Sequence, residues 1–224
     1  MDIVKFEVGA RLLDAPNIKA RVDALAPGAT YAEHGYPGSD ETFYFSNGTG
    51  TLAGNGETHS ITGGMQAYIP AGTSYSLTNT GSEPMKLIWA QSPNASEAKP
   101  AGGGGPLWIA PCSSNERFPA TSLVRGGALE FPPNLECDFH SHDGAEEIFL
   151  FLEGSCRITV EDEVVDVGVD DIVIVPQEYK HKLKSGADRL LMWLTVTPNR
   201  KPSHTFYDLQ PDGSWKRKTP RGDV

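Results

Sequence analysis

The chain has 224 residues, long enough for one large domain or two small ones, with 38% hydrophobic and 21% charged residues, close to ordinary globular usage. Acidic side chains outnumber basic ones by 29 to 19, and the net charge of −10 argues against nucleic-acid backbones and anionic membranes as partners. No apolar run approaches the ~20 residues that a membrane helix needs, so a soluble, cytoplasmic protein is expected.

The start, MDIVKFEVGARLLDAP, lacks the uninterrupted apolar core behind a basic segment that a signal peptide carries. In the first half TFYFS, QAYIP and MKLIWA are short runs rich in β-branched and aromatic residues and read as strands. His59 lies in a polar hairpin-like stretch, NGETHSITGG, and is expected to be exposed or locally structural. From Gln91 to Pro106 runs QSPNASEAKPAGGGGP, where Gly, Pro, Ala and Ser displace all apolar periodicity, as in a flexible connector. Beyond it EEIFLFLEG, RITV, DIVIV and LLMWLTV resume the strand pattern, bounded by Gly, Asp or Pro. No stretch holds a 3.6-residue apolar period long enough for a helix. Short strands between frequent turns, consistent with 24 glycines and 17 prolines, indicate an all-β sandwich or barrel. The segment from Lys201 onward contains His204, expected to be exposed or locally structural, and a basic run after Trp215. It reads as a solvated tail or an arm on a neighbouring subunit, ordered at its start and loose at its end.

The two halves share a pattern. Glu41 followed by Gly48 recurs as Glu147 followed by Gly154, 106 residues later. His34 maps onto His140, Pro70 onto Pro176 and Tyr75 onto His181 at the same displacement, without insertions. One folding unit present twice is the simplest reading. The expected organisation is a first barrel over 1–91, a linker over 92–106, a second barrel over 107–200 and a tail over 201–224. Cys112, Cys137 and Cys156 are an odd set without CxxC spacing, read as small buried hydrophobes rather than disulfides or thiolate ligands.

The chemistry concentrates in DFHSHDGAEEIFLFLEG, residues 138–154. Side chains two apart on a strand share a face, so His140 and His142 point the same way. Asp143-Gly144 is a turn signal expected to return the chain as a neighbouring antiparallel strand carrying Glu147. Phe149 and Phe151 share the parity of Glu147 and are expected to line a substrate pocket. His181 follows Val173–Val175 and Pro176 where the chain re-enters the sheet. Three imidazoles and a carboxylate suit Fe, Mn, Ni, Cu or Zn rather than Ca or Mg. Asp138, on the strand face of His140, is a candidate for orienting an imidazole, for proton transfer, or for a solvated position at the barrel mouth. Trp193 either lines the pocket or sits between sheets.

His140-x-His142-x4-Glu147-x6-Gly154 resembles the first motif of the cupin superfamily, and Pro176-x4-His181 resembles the second, with Val173-Ile174-Val175 as its apolar lead-in. The resemblance implies two tandem jelly-roll barrels, a bicupin, with one divalent transition metal held by His140, His142, Glu147 and His181 inside the second. Two departures bear on the turn after Pro176: Glu178 replaces the motif's usual glycine and Ser185 its closing asparagine. The first copy keeps His34 and Glu41 but has Tyr36 and Tyr75 at the other ligand positions, and is read as structural, with an organic-ligand pocket lined by those four residues as the alternative. Its PAGTSYSLTN matches the second motif well, Gly72 and Asn79 included. Cupins span many reactions. A dioxygenase acting on a small oxygen-chelating substrate leads; a redox-neutral isomerase, lyase or aminohydrolase, and a small-molecule-binding protein without turnover, are the alternatives. Pairing of the barrels as a pseudo-dimer, and a homodimer through barrel faces, are compatible with this reading.

Overall fold

A computed structural model describes residues 1–94 and 104–218. Most of the expected linker, and the end of the expected tail, lie outside these residues. All regular structure among the described residues is β. The first half forms β1 (Asp2–Lys5), β2 (Arg11–Ala15), β3 (Ile18–Leu25), β4 (Thr30–His34), β5 (Asp40–Phe45), β6 (Thr49–Gly54), β7 (Glu57–Thr62), β8 (Met65–Ile69), β9 (Tyr75–Asn79) and β10 (Met85–Ser92). The second forms β11 (Trp108–Pro111), β12 (Arg125–Phe131), β13 (His140–Ser141), β14 (Glu146–Glu153), β15 (Ser155–Val160), β16 (Glu163–Gly168), β17 (Asp171–Val175), β18 (His181–Ser185), β19 (Leu190–Thr197), β20 (Thr205–Leu209) and β21 (Trp215–Arg217).

Each barrel is two antiparallel sheets. The N-terminal barrel has the orders β11-β8-β5-β10-β3-β2 and β4-β9-β6-β7; the C-terminal barrel has β1-β17-β14-β19-β12 and β16-β15-β18-β13-β20-β21. The first strand of each half is exchanged. β1 pairs with β17, Asp2 opposite Ile174, while β11, which begins 106 residues after β1, pairs with β8, Trp108 opposite Tyr68. The sheets therefore cross the sequence bounds 1–91 and 107–200, and β20, from the expected tail, pairs with β13.

The six-stranded sheet of the first barrel packs back to back against the five-stranded sheet of the second. Ile18, Ala20 and Val22 of β3 and Ile88 and Ala90 of β10 meet Ile148 and Leu150 of β14, Ile172 and Ile174 of β17, and Leu191 and Trp193 of β19. Opposite parity on the same strands fills each barrel: Phe43, Phe45, Leu87 and Trp89 in the first, Phe149, Phe151, Met192 and Leu194 in the second. β5, β14 (up to Phe151) and β19 are consequently buried on both faces. The strands on the outer sheets alternate instead, as in β18, where His181, Leu183 and Ser185 point inward and Lys182 and Lys184 outward. At the ends of β10 and β19 the Ser92 and Thr197 hydroxyls touch one another, and both reach the carbonyls of Asn17 and Leu123, tying the halves together at equivalent positions.

Candidate metal centre

The four expected ligands converge. One ligand atom from each of His140, His142, Glu147 and His181 lies within 4.8 Å of the others, and all four side chains are at most 8% exposed. They come from facing sheets. His140 pairs with His181 across β13 and β18, whereas Glu147 sits on β14 in the opposite sheet, opposite Val175 and Val196. The expected hairpin at Asp143-Gly144 is therefore corrected. That turn, with Gly144 at φ +66°, carries the chain from one sheet to the other, and the histidines meet Glu147 across the barrel interior rather than along a ladder.

The turn before His181 keeps its shape despite the missing glycine. Glu178 adopts φ +67°, close to the +83° of Gly72 at the corresponding place in the first barrel. The left-handed conformation costs a non-glycine residue ~1 kcal/mol or more, and the Glu178 carboxylate offsets part of this by accepting a 2.6 Å hydrogen bond from the Gly144 amide. Ser185 likewise does the work of Asn79: it donates to the Pro132 carbonyl at 2.7 Å, while Asn79 donates to the carbonyls of Leu25 and Glu83 at 2.8 Å.

Hydrogen bonds aim the imidazoles. His140 Nδ1 donates to the Asp138 carbonyl at 2.9 Å, His181 Nδ1 to the Tyr179 carbonyl at 3.1 Å, and His142 Nδ1 to the Ser203 carbonyl at 2.7 Å. With each Nδ1 committed as a donor, each neutral ring turns its Nε2 lone pair to the centre. Arg125 Nη2 lies 3.1 Å from His142 Nδ1 and 3.5 Å from the Ser203 carbonyl, and the shorter carbonyl contact settles the direction of the His142 bond. His142 Nε2 and His181 Nε2 stand 3.0 and 2.9 Å from Glu147 Oε2, yet all three atoms are buried without a hydrogen-bond partner. Buried polar groups left unpaired in this way are expensive. An ion with bonds of roughly 2.0–2.2 Å would separate adjacent ligand atoms by about 3 Å and satisfy all of them at once. Burial, with the neighbouring His181 and His142 rings, pushes the His140 pKa well below the usual imidazole value, which keeps it neutral and able to bind a cation. Burial alone would raise the Glu147 carboxyl; His142 and His181 hold it well below the usual carboxylate range only when those rings are protonated, and a cation bound among neutral rings would take over that role.

A cavity of about 360 Å³ opens beside His140 and Glu147. Phe149 lines it; Phe151, one pleat deeper on β14, packs into the barrel core instead. Trp193 is also corrected as a pocket residue, because its parity on β19 turns it into the core between the barrels, where it is fully buried. The Asp138 carboxylate is no orienting group. It points outward, 3.3 Å from Lys218 Nζ, and the residue acts on His140 through its carbonyl. His204 departs furthest from expectation. Its ring centroid lies 4.6 Å from His142 and 5.0 Å from His140, it stacks on Phe206, and both line the cavity because β20 closes against β13. Burial first, then His142 and Arg125, push its pKa down to about 3. Arg117, Arg125, Leu129 and Phe131 complete the wall together with Cys137, Leu183 and Leu194. The alternation of RGGALEF, which puts Arg125 on the face of Leu129 and Phe131, was the one signal in the sequence for any of these. His59, 3.2 Å from Glu57, stays a local surface residue.

The first barrel closes the equivalent position on itself. Glu41 Oε2 accepts hydrogen bonds from the Tyr75 hydroxyl at 2.7 Å and from Trp89 Nε1 at 2.6 Å. His34 Nδ1 donates to the Ala32 carbonyl at 2.7 Å, and its ring lies against Tyr75 and Tyr36. A cavity of about 310 Å³ borders His34, Tyr36, Phe43, Tyr75 and Trp89, and the buried Glu41 is not among the residues that line it.

The model of the cupin domain matches residues 21–91 and 127–197, more than half of the chain. The chain belongs to the cupin family. No curated protein matches it. Among solved structures, this cupin is similar to a cupin 2 conserved barrel domain protein from Leptotrichia buccalis (TM-score 0.64, 16% identity, covering 88% of this chain and 89% of that one). It is also similar to a salicylate 1,2-dioxygenase from Pseudaminobacter salicylatoxidans (TM-score 0.65, 12% identity, 82% and 71%) and to a variant of oxalate decarboxylase from Bacillus subtilis (TM-score 0.58, 12% identity, 88% and 76%). These likenesses establish the two-barrel fold. No helix among the described residues is long and apolar enough to cross a membrane.

Proposed function

We propose that this cupin is a metal-dependent enzyme whose C-terminal barrel works as a dioxygenase on a small oxygen-chelating organic substrate. The observation that carries the reading is the convergence of buried, unpartnered Nε2 and Oε2 atoms on one point beside a cavity. The salicylate 1,2-dioxygenase among the similar structures, a variant of which was solved with gentisate, supports the reaction class at the level of fold. His140, His142, Glu147 and His181 would hold one divalent transition metal, which supplies a redox-active or Lewis-acid centre for an oxygen donor.

The chain's own residues do the rest. The carbonyls of Asp138, Tyr179 and Ser203 keep the three rings in the ligating tautomer. Three neutral histidines and one carboxylate leave positive charge on a bound dication, so anionic oxygen donors are drawn in. Phe149, Leu194 and Phe206 exclude water around the substrate body and strengthen those electrostatic contacts.

Oxygen uptake by metal-loaded protein, screened with chelating phenols, diketones and hydroxy acids, tests the proposal. Substrate-dependent oxygen consumption supports it. Turnover that proceeds equally well without oxygen, in Mn- or Zn-loaded protein, replaces it with the redox-neutral isomerase, lyase or aminohydrolase; binding without product replaces it with a small-molecule-binding role.

A further inference from the structure

Two arginines, Arg117 and Arg125, line the cavity beside the metal set, and neither is paired with a carboxylate of its own among the described residues. Among the described residues Arg125 donates to the Ser203 carbonyl and to His204 Nε2 and lies 3.1 Å from His142 Nδ1, with no carboxylate among these contacts. Arg117 makes no hydrogen bond or ion pair among the described residues, yet lines the same cavity. The single carboxylate there is Glu147, already committed to the histidines. Charge of one sign concentrated in a partly apolar cavity is costly unless a ligand of opposite sign completes it.

The pair is placed by the local fold. Arg125, Gly127, Leu129 and Phe131 occupy alternate positions of β12, and three of them line the cavity. Gly127 leaves the gap. A β-carbon on it would lie 2.7 Å from the Glu116 carbonyl and 2.9 Å from the Arg117 α-carbon, and its φ is +113°. The missing side chain lets the 116–118 segment cross β12, with Arg117 bridged to Gly127 and the Ala128 amide bonded to the Glu116 carbonyl at 2.8 Å. Arg117 thereby joins Arg125 at the cavity wall.

We infer that Arg117 and Arg125 form an anion subsite that takes the carboxylate of the substrate while another oxygen of the same molecule faces His140 and Glu147. The substrate class is a small carboxylate with an apolar or aromatic body carrying a second oxygen donor. Arg is suited to this task because its planar fork pairs with both carboxylate oxygens, and Leu129, Phe131 and Phe149 offer the apolar wall. The second half of this inference rests on the metal reading; the anion subsite does not.

Calorimetric titration with benzoate, salicylate and their neutral amides, benzamide and salicylamide, tests the subsite in metal-loaded and in chelator-stripped full-length protein. The expected result is at least about tenfold tighter binding of each acid than of its amide in both forms, with salicylate gaining further from the metal. Arg117→Gln and Arg125→Gln should each weaken acid binding about tenfold or more, leave amide binding unchanged, and retain metal by elemental analysis. Arg125→Lys should recover part of the loss through charge alone. Equal binding of acids and amides, no binding of either, or full acid binding in Arg117→Gln overturns the subsite. Loss of metal from the wild type with the acid preference intact overturns the metal reading and leaves the subsite standing.

Discussion

Glu178 and Gly144 are joined by a 2.6 Å hydrogen bond from the glycine amide to the glutamate carboxylate, linking the two turns that deliver His142, Glu147 and His181 to one point. Glu178 holds φ +67°, a conformation in which glycine is more comfortable. The residue thus trades backbone strain for a tie between ligand-bearing turns.

Replacing it separates those effects. Glu178→Ala should lower stability by roughly 1–2 kcal/mol through the lost charged hydrogen bond and weaken metal binding about tenfold, the lower end for groups that support ligands. Glu178→Gly should recover stability, because the strain disappears, but not metal affinity. Thermal unfolding and competitive chelator titration read the two quantities. Full recovery of both by glycine would show that the hydrogen bond contributes nothing.

A different titration governs the first barrel. Burial pushes the Glu41 carboxyl up to about 7 against the opposing hydrogen bonds from Tyr75 and Trp89. The folded state therefore binds this proton more tightly than the unfolded chain. Its contribution to stability is greatest below the unfolded pKa near 4.5 and falls as pH rises to about 7. The full loss is on the order of 3 kcal/mol. Glu41→Gln should flatten that part of the stability–pH curve while leaving metal content intact; urea unfolding across the range checks it, and an unchanged slope would remove Glu41 as its source.

The metal set was legible in the sequence because it rests on local rules: two-residue parity for His140 and His142, and fixed spacings to Glu147 and His181. Trp193 was not, since β19 is buried on both faces and shows no alternation from which to read a direction. Nor was His204, whose position depends on β20 pairing with β13 across more than 60 intervening residues. Arg117 needed the crossing at Gly127, and Asp143-Gly144 looked like a hairpin because turn chemistry specifies a bend without specifying which sheet receives the next strand. The exchange of β1 and β11 is likewise a matter of which barrel offers the open edge beside β17 or β8.

The facing of Trp193 has its own consequence. Trp193→Ala should cost about 3–5 kcal/mol by opening a cavity between the barrels, with metal content per folded chain unchanged. Phe149→Ala, at the cavity wall, should alter ligand binding as well as stability. Unfolding curves with elemental analysis of the folded fraction distinguish the two, and loss of metal in Trp193→Ala alone would place that side chain nearer the site than its packing does.

The most direct measurement is the metal content of untagged protein purified without chelator, alongside His140→Ala, His142→Ala, Glu147→Ala and His181→Ala. Close to one divalent transition-metal ion per chain is expected, lost or sharply reduced in every variant, with a wild-type midpoint of unfolding that rises when the ion is restored, by ~2.7 kcal/mol of stability at a hundredfold excess over Kd. Wild-type protein that carries no metal and takes none up on reconstitution would contradict that expectation.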